Sequence, residues 1–245
     1  MKGMAMSEDS TPGSAPSETY HDPTSIASVI DHTLLKPEAS REDIITVCEE
    51  AAKYRFAAVC VNPLWTALVH STLKGSGVKT CSVIGFPFGA TPTDVKVYEA
   101  RGANLDGADE IDMVIDIAAA RANDRDAVLA DIAAVADAVH AGGAILKVIL
   151  ETHLLSDEQK RMVCEAAAEA GADFVKTSTG FSGGGATVED IALMRDAVGP
   201  HLGVKASGGV RSIDDARAML RAGATRIGAS SSVAIVKGEQ AAGGY

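Results

Sequence analysis

Hydrophobic and polar positions follow one repeating scheme from residue 24 onward. A short β-branched run leads to a capping residue, then to an amphipathic helix, then to glycine. The strand-like runs are 30–35, 56–61, 78–84, 111–115, 145–150, 173–176, 203–205 and 226–229. Most are apolar at successive positions, the pattern of parallel strands covered on both faces. Ser40 with Asp43, Ser156 with Gln159 and Ser212 with Asp215 have the spacing of capping boxes. Thr187 caps a further helix, and Asn62-Pro63 and Thr91-Pro92 read as caps followed by proline at the first helical position. Helical spacing then places Ile44, Val47, Cys48 and Ala51 on one face. It does the same for Val95 with Tyr98, and for Val128, Ile132, Val135 and Val139. Seven strand–helix units plus the strand at 30–35 predict an α/β fold, a TIM (β/α)8 barrel in a single domain. A doubly wound sheet is the alternative, but no G-x-G-x-x-G follows the first strand.

Composition narrows this picture. The 245 residues are 47% hydrophobic but only 4% aromatic, so the core is aliphatic. Lys plus Arg number 22 against 33 Asp plus Glu, a net charge of −11, which argues against a nucleic-acid or anionic-membrane partner. A small anion remains compatible, because backbone amides and a few local cations can hold one. Cys48, Cys60, Cys81 and Cys164 form no C-x-x-C pair, which fits a reducing, cytoplasmic setting rather than a zinc or disulfide framework. No apolar run approaches the roughly 18 residues of a membrane span. The expected organisation is a disordered extension over 1–23, a barrel over 24–236 and a flexible tail over 237–245.

The most informative feature is an internal echo. Residues 175–180 read Val-Lys-Thr-Ser-Thr-Gly and residues 204–209 read Val-Lys-Ala-Ser-Gly-Gly. Both lie at the C-terminal ends of consecutive strands, the face that carries active sites in such barrels. With strands roughly 4.8 Å apart, Lys176 and Lys205 can project toward one another. Two ammonium groups in a partly dry site disfavour each other's charge, and a neutral lysine amine attacks carbonyls to form a Schiff base. A clamp for phosphate is the competing role, and the pattern alone leaves open which lysine is the nucleophile. Asp112, sharing strand parity with Glu110 and Val114, is a candidate for proton exchange. Lys147 is expected inside the barrel as an ion-pair partner, with Asp31, Asp112 and Glu151 completing a polar network.

Three glycine-rich strand exits offer amides to an anion: 180–185, Gly208-Gly209 and Gly228-Ala229-Ser230-Ser231. Arg211 could add charge beside the second. The six histidines form no H-x-H or H-E-x-x-H pattern, and His153 reads as a loop residue. Cys60 reads as a small buried hydrophobe near a strand end.

The segments Asp31-His32-Thr33-Leu34-Leu35, Val59-Cys60-Val61-Asn62-Pro63, Glu110-Ile111-Asp112-Met113-Val114, 175–180, 204–209 and 228–231 together resemble the deoxyribose-phosphate aldolase family, over residues 26–236 and in the family's order. The resemblance implies a class I aldolase without metal or organic cofactor. It would reversibly cleave 2-deoxy-D-ribose 5-phosphate to D-glyceraldehyde 3-phosphate and acetaldehyde, in deoxyribose phosphate catabolism. It assigns Lys176 as the Schiff-base lysine, Lys205 as the neighbour that lowers its pKa, and Asp112 as the proton donor and acceptor. Thr33 and Cys60 would line the pocket, and Gly180, Gly208, Gly209, Gly228, Ser230 and Ser231 would surround the phosphate. It further implies a homodimer or homotetramer. Two departures stand out. Phe181 follows Thr179-Gly180 where some members of the family carry a lysine, which removes a phosphate cation and is expected to weaken the preference for phosphorylated substrate. Tyr245 ends the chain as a tail tyrosine does in part of the family, where it assists enamine protonation. Competing readings are a Schiff-base aldolase with another donor and a catalytically silent protein that binds phosphorylated ligands.

Overall fold

The computed structural model describes residues 26–239. Eight parallel strands close into a barrel in chain order: β1 (Ile30–Leu34), β2 (Ala58–Val61), β3 (Lys79–Ile84), β4 (Glu110–Val114), β5 (Ile145–Ile149), β6 (Phe174–Lys176), β7 (Gly203–Ser207) and β8 (Arg226–Ala229). Pairing of Asp31 with Gly228 closes the ring. The principal helices around it are α1 (Arg41–Tyr54), α2 (Thr66–Leu73), α3 (Thr93–Leu105), α4 (Ile117–Arg121), α5 (Arg125–Ala141), α6 (Asp157–Glu169), α7 (Val188–Val198), α8 (Ile213–Arg221) and α9 (Ser232–Lys237). This is the (β/α)8 barrel that the repeats predict. The expected extension over 1–23 and Tyr245 lie outside the described residues. Among the described residues, no helix is long and apolar enough to cross a membrane.

The pleat divides the strands between two environments. Outward residues such as Val59, Val61, Ile111, Met113, Leu146, Val148 and Val204 are buried under the helices, against Ile44, Val128, Ile132, Val135 and Val139. Each such side chain contributes about 1.5–3 kcal/mol on full burial. Inward residues are few and mixed. Leu35, Ala58, Cys60, Cys81 and Val83 form a small apolar cluster on the β1–β3 side, with Phe86 against it. The remaining inner wall carries the charged side chains, beside the apolar Val114 and Ile149.

The capping boxes at Ser40–Asp43, Ser156–Gln159 and Ser212–Asp215 form as their spacing predicts, and Thr187 accepts from the Asp190 amide. The two proline-marked starts differ. The Asn62 side chain donates to the Leu35 carbonyl (3.0 Å) instead of capping, and Pro63–Trp65 is a 3₁₀ turn ahead of α2. Helix α3 begins at Thr93 with no side-chain cap. Its buried face is Lys96, Ala100 and Ala103, whereas Val95 and Tyr98 are 43% and 78% exposed. The inward Lys96 is fully buried because its ammonium reaches Asp131 (2.7 Å), which also accepts from the Thr93 hydroxyl (2.8 Å).

Candidate active site

Strand parity and register together build the charged half of the barrel. Lys176 and Lys205 are register partners across β6 and β7, as the echo of their motifs implies. Asp112 on β4 receives both: Lys176 Nζ and Lys205 Nζ reach Asp112 Oδ2 at 2.8 and 2.7 Å. The other oxygen, Oδ1, receives Lys147 Nζ (2.8 Å) and the Cys81 thiol (3.2 Å). Asp31 pairs with Lys205 and with Arg226 (2.7 Å). Glu110 pairs with Lys147 (2.6 Å) and Arg226 (3.0 Å). Lys147 is thus the ion-pair partner expected from sequence.

Two members were not foreseen. Glu110 lies two residues before Asp112 and so points the same way. Arg226 is the register partner of Lys205. Strand parity was the available signal for Glu110, whereas the place of Arg226 follows from the β7–β8 register. Glu151 is a correction: it is not part of this network. Its backbone turns left-handed (φ 58°), which takes its side chain away from the inward series of Lys147 and Ile149. Its carboxylate instead binds Thr179 and Ser182.

The electrostatics follow from this arrangement. Burial pushes the Asp112 carboxyl toward its neutral form, but the three ammonium groups outweigh it and hold its pKa well below the ordinary value. Asp31 is lowered by the same contest, with Lys205 its strongest support. Burial likewise opposes the charge of Lys205 and Lys147, yet their carboxylates raise both pKa values. Lys147 and Lys205 are therefore ammonium groups and Asp112 is a carboxylate. In this state Asp112 accepts protons and cannot donate one.

Among the described residues, the ion pairs of this network join four cations (Lys147, Lys176, Lys205, Arg226) to three carboxylates (Asp31, Glu110, Asp112). Lys147 and Lys205 each contact at least two carboxylates and are completely buried. Lys176 contacts only Asp112, on an oxygen it shares with Lys205, and retains 3% exposure. Of the three lysines, the one with the least compensation is also the one that keeps some exposure.

The remaining expected residues fall around this centre. Thr33 and Cys60 are register partners. The Thr33 hydroxyl donates to the Asp31 carbonyl (2.9 Å). A hydrogen bond with Cys81 pulls the Cys60 thiol below its ordinary pKa despite burial. Cys60, Cys81 and Asp112 bring potential metal-ligand atoms within 4.8 Å of one another. The Lys147 ammonium already occupies the far side of that group, 2.8 Å from Asp112 and 3.4 Å from Cys81 Sγ. The donor set therefore fits the ammonium that fills it better than a metal cation.

Gly208 and Gly209 are consecutive left-handed residues (φ 78° and 80°) at the β7 exit, the first buried and the second exposed. Gly180 (φ 86°) is left-handed at the β6 exit. Ser230 and Ser231 stand at the β8 exit, and Ser231 makes no side-chain cap to α9. The Arg211 side chain is exposed, and the Arg211 and Ser212 amides are both bound by Asp215 at 3.0 Å. The start of α8 is thus satisfied from within. Phe181 meets Phe86 edge-on, with ring centroids 5.4 Å apart, and makes one side of the mouth aromatic.

Gly228 has a role the sequence did not suggest. A Cβ there would lie 3.0 Å from Lys205 Cε and 3.0 Å from Ser207 Cβ, so the glycine makes room for the lysine. Gly228→Ala is expected to cost about 1–3 kcal/mol by overpacking and to displace Lys205. Thermal unfolding and kcat read the two effects. An unchanged melting temperature with unchanged kcat would contradict this role.

Comparison with known proteins agrees with the geometry. The DeoC/LacD family aldolase model matches residues 25–238. A deoxyribose-phosphate aldolase of Streptococcus gordonii is 61% identical over 88% of this chain and 97% of its own length. One of Bacillus subtilis is 59% identical over 90% and 98%. The structure of the Aeropyrum pernix deoxyribose phosphate aldolase, described as tetrameric, superposes with a TM-score of 0.84 at 37% identity, covering 89% of this chain and 92% of that one. The chain belongs to the DeoC/LacD aldolase family.

Proposed function

We propose that this protein is a class I deoxyribose-phosphate aldolase with Lys176 as its Schiff-base lysine. The observation that carries this reading is the single-carboxylate environment of Lys176 beside the fully paired Lys205 and Lys147. Lys176, after giving up a proton, attacks C1 of open-chain 2-deoxyribose 5-phosphate, and loss of water gives an iminium ion, an electron sink. A base takes the proton of the C3 hydroxyl and the C2–C3 bond breaks. Glyceraldehyde 3-phosphate leaves, and the bond's electron pair stays on C2 as the enamine. Protonation at C2 and hydrolysis release acetaldehyde and restore the amine. Asp112, joined through one oxygen to both Lys176 and Lys205, moves protons between the amine and the reacting centre. Lys205 remains the fixed cation beside the nucleophile. The amides of Gly180, Gly208 and Gly209 and the hydroxyls of Ser230 and Ser231 hold the phosphate.

The donor aldehyde tests this function against another Schiff-base aldolase. With glyceraldehyde 3-phosphate as acceptor, acetaldehyde is expected to yield deoxyribose 5-phosphate and dihydroxyacetone phosphate to yield no adduct. Turnover of dihydroxyacetone phosphate in preference to acetaldehyde would overturn the assignment.

The same reading extends to the protein's setting. The catalytic unit is the single domain 24–236, with 1–23 and 237–245 as flanks. Four buried free cysteines support a reducing cytoplasmic location, and the substrate supports a role in deoxyribose phosphate breakdown. Exposed Val95, Tyr98 and Leu105 on α3 support a homodimer or homotetramer. Light scattering checks this, and a strictly monomeric mass would contradict it.

A further inference from the structure

Glu151 is a buried carboxylate that the proposed mechanism does not use. It is completely buried, on left-handed backbone, and no lysine or arginine pairs with it among the described residues. Its Oε2 is bound three times: by the Thr179 hydroxyl, by the Ser182 hydroxyl at 3.0 Å and by the Thr179 amide at 3.3 Å. The Thr179 hydroxyl in turn accepts the Phe181 amide at 3.1 Å. Among the described residues its Oε1 has no hydrogen-bond partner, and it stands 3.6 Å from His153 Nδ1. A completely buried carboxyl with an unpartnered oxygen, on a backbone outside the usual regions, is costly, and such costs concentrate at functional sites.

The hydrogen bonds to the Glu151 carboxylate all come from the loop that follows Lys176. This loop is braced from both sides. On one side, the His153 ring lies so close to Gly184 that a Cβ there would be 2.3 Å away. On the other, the Ala186 amide donates to the Gly208 carbonyl at 2.9 Å. Gly180 and Phe181 lie on the same loop, between the reacting Lys176 and these braces.

We propose that Glu151 is a positioning residue, which holds the Thr179–Ser182 segment in the shape that receives the acceptor end of the sugar phosphate. This rests on the aldolase reading and goes beyond it in one respect. It separates binding of the distal end of the substrate from chemistry at Lys176. Acetaldehyde is too small to need the loop, whereas deoxyribose 5-phosphate needs both.

Steady-state cleavage of deoxyribose 5-phosphate is compared with the rate of borohydride-trapped acetaldehyde adduct on Lys176, in the full-length protein. Glu151→Ala is expected to raise KM about tenfold, the value of one buried hydrogen bond left unmade, with the trapping rate within about twofold of wild type. Glu151→Gln keeps an acceptor oxygen and is expected to recover most of the loss. Ser182→Ala, at a half-buried position that leaves the carboxylate in place, is expected to raise KM about threefold. It carries the test if Glu151→Ala does not fold. An unchanged KM in these variants, or trapping that falls in parallel with KM, overturns the positioning role. A wild-type protein that forms no adduct overturns the aldolase reading instead, and this role with it.

Discussion

Lys176→Ala is expected to lose about four orders of magnitude in kcat/KM, about 5.4 kcal/mol of transition-state stabilisation, while keeping its fold. The loss is large because the covalent route is closed and no neighbouring amine can replace it. Lys205 and Lys147 are held as ammonium groups by two or more carboxylates each. Stability is expected to move the other way or not at all. Among the described residues the network has one cation more than it has carboxylates, and Lys176 shares its only carboxylate oxygen with Lys205. Removing it leaves three cations and three carboxylates. A buried charge removed without stranding a partner is neutral or favourable, in contrast to one whose removal leaves an unpaired ion. Calorimetry alongside activity separates the two effects. A fall in melting temperature that accounts for the lost activity would contradict this account.

Asp112→Asn is expected to do the opposite, destabilising the fold by about 3–5 kcal/mol, with activity lost as well. Asn has the same shape, but it leaves Lys147, Lys176 and Lys205 without the anion they share. That is a large fraction of the roughly 5–15 kcal/mol that holds a typical domain together. The pH dependence has a definite sign. Asp112 and Asp31 have folded pKa values depressed below the ordinary 3.8. Their contribution is therefore fully present above that value and is lost as pH falls through the folded values. Lys147 and Lys205 have folded values raised above 10.5. Their contribution is fully present below 10.5 and is lost only as pH rises through those folded values. The network thus gives a level contribution from about pH 4 to about pH 10. Chemical denaturation at a series of pH values is expected to show this plateau in the wild type and a shallower acid limb in Asp112→Asn. A wild-type midpoint that falls steadily between pH 8 and pH 5, with no plateau, would contradict the assignment of charges.

The sequence made the barrel legible because local and global signals agree along most of it. Ser40, Ser156, Thr187 and Ser212 cap the helices their spacing predicts, and the repeat of strand and helix leaves few other closures. It failed where a tertiary partner competed for the same group. Asn62 has the residue type and position of a cap, but the Leu35 carbonyl on the neighbouring strand exit claims its amide. Within the site, Lys176, Lys205, Asp112 and Lys147 were legible because strand alternation fixes the face of each residue. The rule ends with the strand. Glu151 lies just past β5, where one left-handed residue redirects the side chain from the lysines to the next loop. Arg226 needed the β7–β8 register, which no local pattern carries. The place of Gly228 beneath Lys205 needed three-dimensional distances.

The central claim is that one lysine of three, Lys176, forms the Schiff base. Borohydride reduction in the presence of acetaldehyde, followed by peptide mass mapping, tests it most directly. An ethyl group on Lys176, absent in Lys176→Ala, is the expected result. An ethyl group on Lys205 or Lys147 of the wild-type protein, or on no lysine at all, would contradict the account.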